Sequence, residues 1–114
     1  MAQFHKISYE VEFPDYGTEI DMRTIKRLNG ECGFHFFSED TMRFFNSKVY
    51  DDTKPVSNGW LFITSERNDR PYSENKREWT LRLFKANGQI DTIGEFGQYS
   101  SLKQAQKAMR DYND

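Results

Sequence analysis

The chain has 114 residues, of which 36% are apolar and 30% are charged, and its formal net charge is −2. This length suits one domain, and 10 Phe, 6 Tyr and 2 Trp give it more aromatic area than a disordered chain carries. The acidic balance disfavours a general electrostatic attraction to nucleic acid. The single cysteine, Cys32, excludes an internal disulfide and agrees with a reducing compartment. No window approaches the roughly 20 apolar residues of a membrane span, and the N-terminus has no apolar signal core, so we predict a cytoplasmic protein.

Residues 5–13 alternate between apolar and polar side chains, with period two. This pattern predicts a half-buried strand, which Pro14 and Gly17 would end. Residues 21–29 then place Met22, Ile25 and Leu28 on one side of a short helix. Asp21 is its expected N-cap and Gly30 its expected C-terminal stop.

The run from Gly33 to Ser47 contains five phenylalanines and a methionine around a helix-start signal. Residues 34–37 are brief and β-prone, and Ser38 begins a second helix with two carboxylates in its first turn. Asn46 is the expected left-handed stop. We predict that this run lies at the centre of the core, because aromatic side chains bury the largest area per residue.

The middle of the chain is predicted to contain one strand between two loops. Asp-Asp, Pro55 and Asn58-Gly59 indicate a loop over residues 51–59. Residues 60–64 are β-prone, and residues 65–75 form the longest polar stretch, typical of a mobile loop or a hairpin tip.

Residues 78–95 consist of two β-prone runs around Asn87-Gly88, a strong signal for a two-residue type I′ hairpin turn. That turn would pair Phe84 with Asp91 and Arg82 with Ile93. One face, predicted to be the core face, would then carry Trp79, Leu81, Leu83, Ile90, Thr92 and Phe96. The opposite, amphipathic face would carry Thr80, Arg82, Phe84, Asp91, Ile93 and Glu95. Arg82 would form cross-strand ion pairs with Asp91 and Glu95.

Residues 101–111 predict the last helix, which Ser101 and Gln104 would open as a capping box. Its apolar stripe consists of Leu102, Ala105, Ala108, Met109 and Tyr112. Together these elements predict a single α+β domain over residues 1–114. We expect an antiparallel sheet of about four to five strands, with about three short helices packed mainly on one face.

Few residues indicate catalytic chemistry. Cys32 and His35 lie three residues apart, but no glycine elbow surrounds the cysteine, so a thiol enzyme is the weakest of three hypotheses. The carboxylates follow no calcium-loop pattern, and no phosphate-binding glycine loop is present. The sequence therefore predicts a non-enzyme with no metal and no cofactor.

Two kinds of binding surface are consistent with the residues. If helices cover only one face of the sheet, Arg82, Phe84 and Ile93 on the amphipathic face are exposed to a protein partner, with Tyr72 and Arg77 nearby. The alternative is single-stranded nucleic acid, bound by stacking and phosphate contacts from Tyr72, Arg77, Arg82 and Phe84. Interleaved acidic residues such as Glu74 and Glu78 weaken the field that a phosphate would feel.

The stretch Gly-Phe-His-Phe-Phe-Ser-Glu-Asp-Thr-Met-Arg-Phe-Phe-Asn-Ser-Lys-Val, residues 33–49, resembles the signature of a family of small, mostly uncharacterised bacteriophage and prophage proteins. Residues 62–66, 79–82 and 93–99 resemble the same family, so the similarity covers about residues 24–109, and residues 1–14 are expected to be an addition. The resemblance implies a phage setting but no activity. By analogy with other small phage proteins it implies binding to a host or phage protein, with inhibition of a host defence system as one such role.

Overall fold

The computed structural model of the protein describes residues 11–67 and 76–113, which form three helices and one four-stranded antiparallel sheet. The helices are α1 (Met22–Glu31), α2 (Glu39–Phe44) and α3 (Leu102–Asp111). The strands are β1 (Lys48–Val56), β2 (Gly59–Arg67), β3 (Arg77–Lys85) and β4 (Ile90–Ile93). The predicted α+β class is confirmed.

The sheet has the order β1-β2-β3-β4, so each strand pairs with its neighbour in sequence. The predicted loop over residues 51–59 is wrong, because most of it belongs to β1. The register shifts between Val49 and Thr53, where three residues of β1 lie opposite Ile63 alone. This irregularity accommodates Asp51 and Asp52 in the strand with both side chains exposed.

The core is formed by β2 and β3 and lies on both faces of the sheet. On one face, Leu61, Ile63, Leu81 and Leu83 pack with Ala105 and Met109 of α3. On the other face, Trp60, Phe62 and Phe84 pack with Met22, Ile25 and Leu28 of α1. The helices are therefore divided between the two faces, and the expectation that they pack mainly on one is wrong. A strand buried on both sides explains why residues 60–66 are all buried.

The first helix begins as predicted and ends later than predicted. The Asp21 side chain accepts a hydrogen bond from the Thr24 N–H at 2.9 Å, and the helix then continues through Gly30 to Glu31. Gly33, at φ +88°, takes the left-handed position after the helix end. Gly30 is therefore not the stop, because it lies inside the helix one residue before its end.

The phenylalanine-rich run is not the centre of the core. Residues 34–37 form turns instead of a strand, and none of the six residues of α2 is buried. The rings of Phe36 and Phe37 pack on the sheet, where both contact Phe62. The local signals are nevertheless obeyed, since the Ser38 hydroxyl caps α2 and Asn46 adopts φ +51°.

The β3–β4 hairpin forms, but the predicted register is wrong by one residue. Phe84 pairs with Ile90 and Leu81 pairs with Ile93. The turn has three residues between Lys85 and Gln89, and only Gly88 has positive φ. Asn87 instead uses its side chain to accept a hydrogen bond from the Gln89 N–H at 2.9 Å. This arrangement matches a type I turn followed by a bulge glycine rather than a type I′ turn.

The last helix is confirmed in its cap and its apolar stripe. The Ser101 hydroxyl accepts from the Gln104 N–H at 3.2 Å. The five stripe residues belong to the core on the α3 face of the sheet, called the α3 core below. The Gln104 side chain reaches the Ser100 N–H rather than that of Ser101. The predicted strand over residues 5–13 lies outside the described residues except for Val11–Phe13, which are not in a strand.

Candidate functional site

A buried ion pair continues the α1 face of the sheet beyond its aromatic core. Arg82 lies two residues before Phe84 on β3, and Glu66 lies four residues after Phe62 on β2, so all four side chains share one face. Arg82 Nη2 is 3.1 Å from Glu66 Oε2, and the two side chains are only 11% and 4% exposed. The pair replaces the predicted ion pairs of Arg82 with Asp91 and Glu95, and Asp91 pairs instead with Lys85 at 3.0 Å.

Threonines satisfy the other hydrogen-bonding atoms of this pair. Arg82 Nε donates to Thr64 Oγ1 at 3.0 Å, and Nη1 donates to Thr92 Oγ1 at 2.7 Å. The Thr80 hydroxyl donates to Glu66 Oε1 at 2.7 Å and accepts from the Gly97 N–H at 2.9 Å. A buried charged pair needs such partners to offset its desolvation, so the network holds three strands and the segment after β4 in one arrangement.

The guanidinium of Arg82 lies between two phenylalanine rings. Its central carbon is 5.3 Å from the Phe36 ring centroid and 5.5 Å from that of Phe96. Both distances are within the range of a cation–π contact. Phe96 reaches this position because Gly94 and Gly97 adopt positive φ and turn the chain sharply after β4.

Phe96 also belongs to an exposed group of rings, the phenylalanine patch, formed by Phe44, Phe45 and Phe96. The centroids of Phe44 and Phe45 are 4.7 Å apart, and those of Phe45 and Phe96 are 5.2 Å apart. Phe44 is 79% exposed and Phe96 is 47% exposed. The patch thus presents contiguous apolar rings to solvent above the buried ion pair.

The sequence model of a family of unknown function (DUF7447) matches residues 21–110. The chain belongs to this family. The match includes every residue of the ion-pair network and of the phenylalanine patch, and it begins at the N-cap of α1. No curated protein and no solved structure matches the chain significantly.

In this DUF7447 member, the hairpin residues predicted to contact a protein partner do not form an exposed face. Phe84 is completely buried against Trp60 and Phe13, and Arg82 is held in the ion pair. The shifted register moves Ile93 to the opposite face, where it packs against the α3 core. The predicted exposed surface is therefore wrong, because α1 covers the face that was expected to be open.

Arg77 and Tyr72 are the other two residues predicted to bind a partner, and the structure describes Arg77. Arg77 is partly buried and donates to the Ser65 hydroxyl at 2.7 Å and to the Asn46 carbonyl at 2.9 Å. Tyr72 lies outside the described residues. The structure therefore gives Arg77 a role in tying β3 to the chain after α2.

Cys32 and His35 do not form a nucleophile–base pair with each other. Cys32 is half-buried against the hairpin turn. A Cβ added to Gly88 would lie 2.5 Å from the Cβ of Cys32. Burial raises the pKa of the Cys32 thiol, and the nearby Glu31 carboxylate raises it further. A nucleophilic cysteine requires the opposite shift.

Sequence reasoning missed the phenylalanine patch because it treated abundant phenylalanine as core. One signal was available: Phe44 and Phe45 are adjacent, and neighbouring residues of a helix do not share one face. The two rings could therefore not both be directed at the core. The contribution of Phe96 had no local signal, because it depends on the turn after β4. Glu66 lies in β2, although the polar composition of residues 65–75 predicts a loop there.

Among residues 11–67 and 76–113, no three His, Cys, Asp or Glu side chains are placed to hold a metal ion. No helix within these ranges combines the length and the apolar content needed to cross a bilayer.

Proposed function

We propose that this chain is a non-enzymatic protein-binding domain that contacts its partner through the phenylalanine patch. The observation that carries the proposal is the exposure of Phe44 and Phe96, at 79% and 47%, in one contiguous group of rings. Apolar groups gathered on a surface mark interaction sites far more often than single exposed residues do. Aromatic side chains also dominate the binding energy of protein interfaces.

The base of the patch supports this proposal. Phe96 is held from below by Arg82, and the adjacent Gly97 N–H donates to Thr80. Phe45 is held by its backbone, because its carbonyl accepts from the Arg67 N–H at 2.7 Å. A surface ordered before binding loses little conformational entropy on association, so these contacts favour a role in recognition.

The raised pKa of the Cys32 thiol argues against a cysteine nucleophile at this position, because it lowers the fraction of reactive thiolate. The phage resemblance of residues 33–49 extends the proposal to the partner. We place that partner among host or phage proteins of the cytoplasm, and inhibition of a host defence system is the role that this setting favours.

The test is capture of a partner from host lysate by the tagged full chain, with and without nuclease treatment. We expect the double variant Phe44→Ser/Phe96→Ser to reduce capture at least tenfold, because it removes both exposed rings. Tyr16→Ser is the matched control, since Tyr16 is also an exposed aromatic, at 53%, and lies outside the patch. Capture that survives in the double variant, or that is lost equally in Tyr16→Ser, would contradict the proposal.

Single-stranded nucleic acid remains the alternative prediction. Its support is weaker because Arg82 is buried with Glu66 and Arg77 donates to Ser65 and Asn46. Nuclease treatment separates the two functions, since it would abolish capture that depends on nucleic acid. Direct binding of a single-stranded oligonucleotide should weaken steeply with salt if phosphates are contacted.

A further inference from the structure

A cavity of about 340 Å³ lies beside α2, between the end of α1 and the start of β4. Asn29 is the buried residue of its lining, Phe36 and Ile90 are half-buried, and Phe34 is exposed at the rim. The other lining residues, His35, Thr41 and Gln89, are polar and exposed, so the lining is mixed and Asn29 is its one buried polar side chain. Apolar rings beside a few polar groups are typical of a site that takes a ring and orients it through a polar contact.

The Asn29 side chain has a definite orientation. Its Nδ2 donates a hydrogen bond to the Gly88 carbonyl at 2.8 Å. This bond fixes which end of the carboxamide is the nitrogen and leaves Oδ1 as the acceptor. Asn29 is only 2% exposed, and no hydrogen bond to its Oδ1 is formed within the described part of the chain. A buried acceptor without a donor is costly, and a ligand that brings an N–H would satisfy it.

We propose that this cavity binds the indole ring of a tryptophan side chain on the protein partner, and this inference rests on the proposed function. The indole ring supplies a large flat apolar surface for Phe34, Phe36 and Ile90. Its N–H is a donor only, so it matches the unpaired Asn29 oxygen. The lining offers no carboxylate to a lysine or arginine side chain.

The position of the cavity agrees with a shared interface. Thr41 lines this cavity and also lines the pocket that contains Phe44 and Phe45. One partner can therefore cover the phenylalanine patch and insert a side chain on the other flank of α2. A central ring in a pocket surrounded by further contacts is the usual arrangement of a binding hot spot.

The experiment is a titration of the ¹⁵N-labelled full chain with N-acetyltryptophanamide, followed by amide and side-chain NMR signals. We expect saturable shifts at the Asn29 side-chain amide and at Phe34, Phe36 and Ile90. N-acetyl-1-methyltryptophanamide has no indole N–H and should bind about tenfold more weakly. N-acetylphenylalaninamide should be weaker still. Equal binding of the methylated probe, tighter binding of adenosine, or an absence of saturable shifts would overturn the proposal.

Variants separate this inference from the proposed function. Phe34→Ala removes an exposed ring from the rim, so it should weaken the tryptophan probe several-fold without unfolding the chain. Phe44→Ser should leave probe binding unchanged, because Phe44 is not in the cavity lining. If the probe fails to bind while capture still depends on Phe44 and Phe96, the indole site is disproved and the protein-binding proposal stands.

Discussion

Two phenylalanine-containing regions of this protein differ in how deeply their rings are buried. Phe62 and Phe84 in the sheet are completely buried, whereas Phe44 on α2 is 79% exposed. Central strands have neighbours on both edges and a helix on each face, so every side chain of β2 from Trp60 to Glu66 is enclosed. None of the six residues of α2 is buried, and the turn before the helix and the residues after it make the contacts with the sheet. The comparison teaches that layer position, not side-chain type, decides burial.

The largest expected difference between the two regions comes from removing one ring in each. Phe62→Ala should lower the free energy of unfolding by about 3–5 kcal/mol, because it leaves a cavity among Trp60, Phe36 and Phe37. Phe44→Ala should change it by less than about 0.5 kcal/mol. Urea unfolding of both variants measures these values. Similar losses in the two variants would show that α2 is part of the cooperative core.

The second comparison sets the buried ion pair against an exposed one. Glu66→Gln should lower the free energy of unfolding by about 3 kcal/mol, because it leaves the Arg82 charge buried without a counter-charge. Glu31→Gln is the matched control, since Glu31 pairs with Arg27 at 3.1 Å on the surface of α1, and it should cost less than about 1 kcal/mol. A loss for Glu66→Gln as small as that of the control would contradict the enclosed network.

Helix caps allow a smaller but sharper comparison. Ser101→Ala removes the cap of α3, which is docked on the core, and should lower global stability by about 1 kcal/mol. Ser38→Ala removes the cap of the exposed α2. We expect it to fray that helix locally, with faster hydrogen exchange at residues 41–44 and little change in the global unfolding midpoint. An equal shift of both midpoints would show that the two helices unfold together.

The smallest expected effect is a pH dependence at the start of α1. Hydrogen bonds from the Thr24 N–H and hydroxyl lower the pKa of Asp21 below its usual value of 3.8. The stabilisation from this carboxylate is therefore present above the usual pKa and is lost as the pH falls through the lowered one. Asp21→Asn caps equally well but does not titrate. Unfolding midpoints measured from about pH 6 to about pH 2.5 should fall less in this variant than in the parent chain.

The candidate site was only partly accessible from the sequence. Arg82 and Phe84 were correctly assigned to one face of β3, because alternation along a strand is a local property. Their exposure was wrongly predicted, since it depended on where α1 packs. The residues of the phenylalanine patch come from α2 and from the turn after β4, and no sequence pattern places those two segments side by side.

What the sequence by itself determined are the features that depend on contacts three or four residues apart. These are the caps at Asp21, Ser38 and Ser101, the left-handed Asn46 and the apolar stripe of α3. Only the tertiary structure decided the hairpin register, the partner of Arg82 and the side of the sheet that each helix covers. Those choices depend on packing between distant segments, where a shift of one residue exchanges the two faces of a strand.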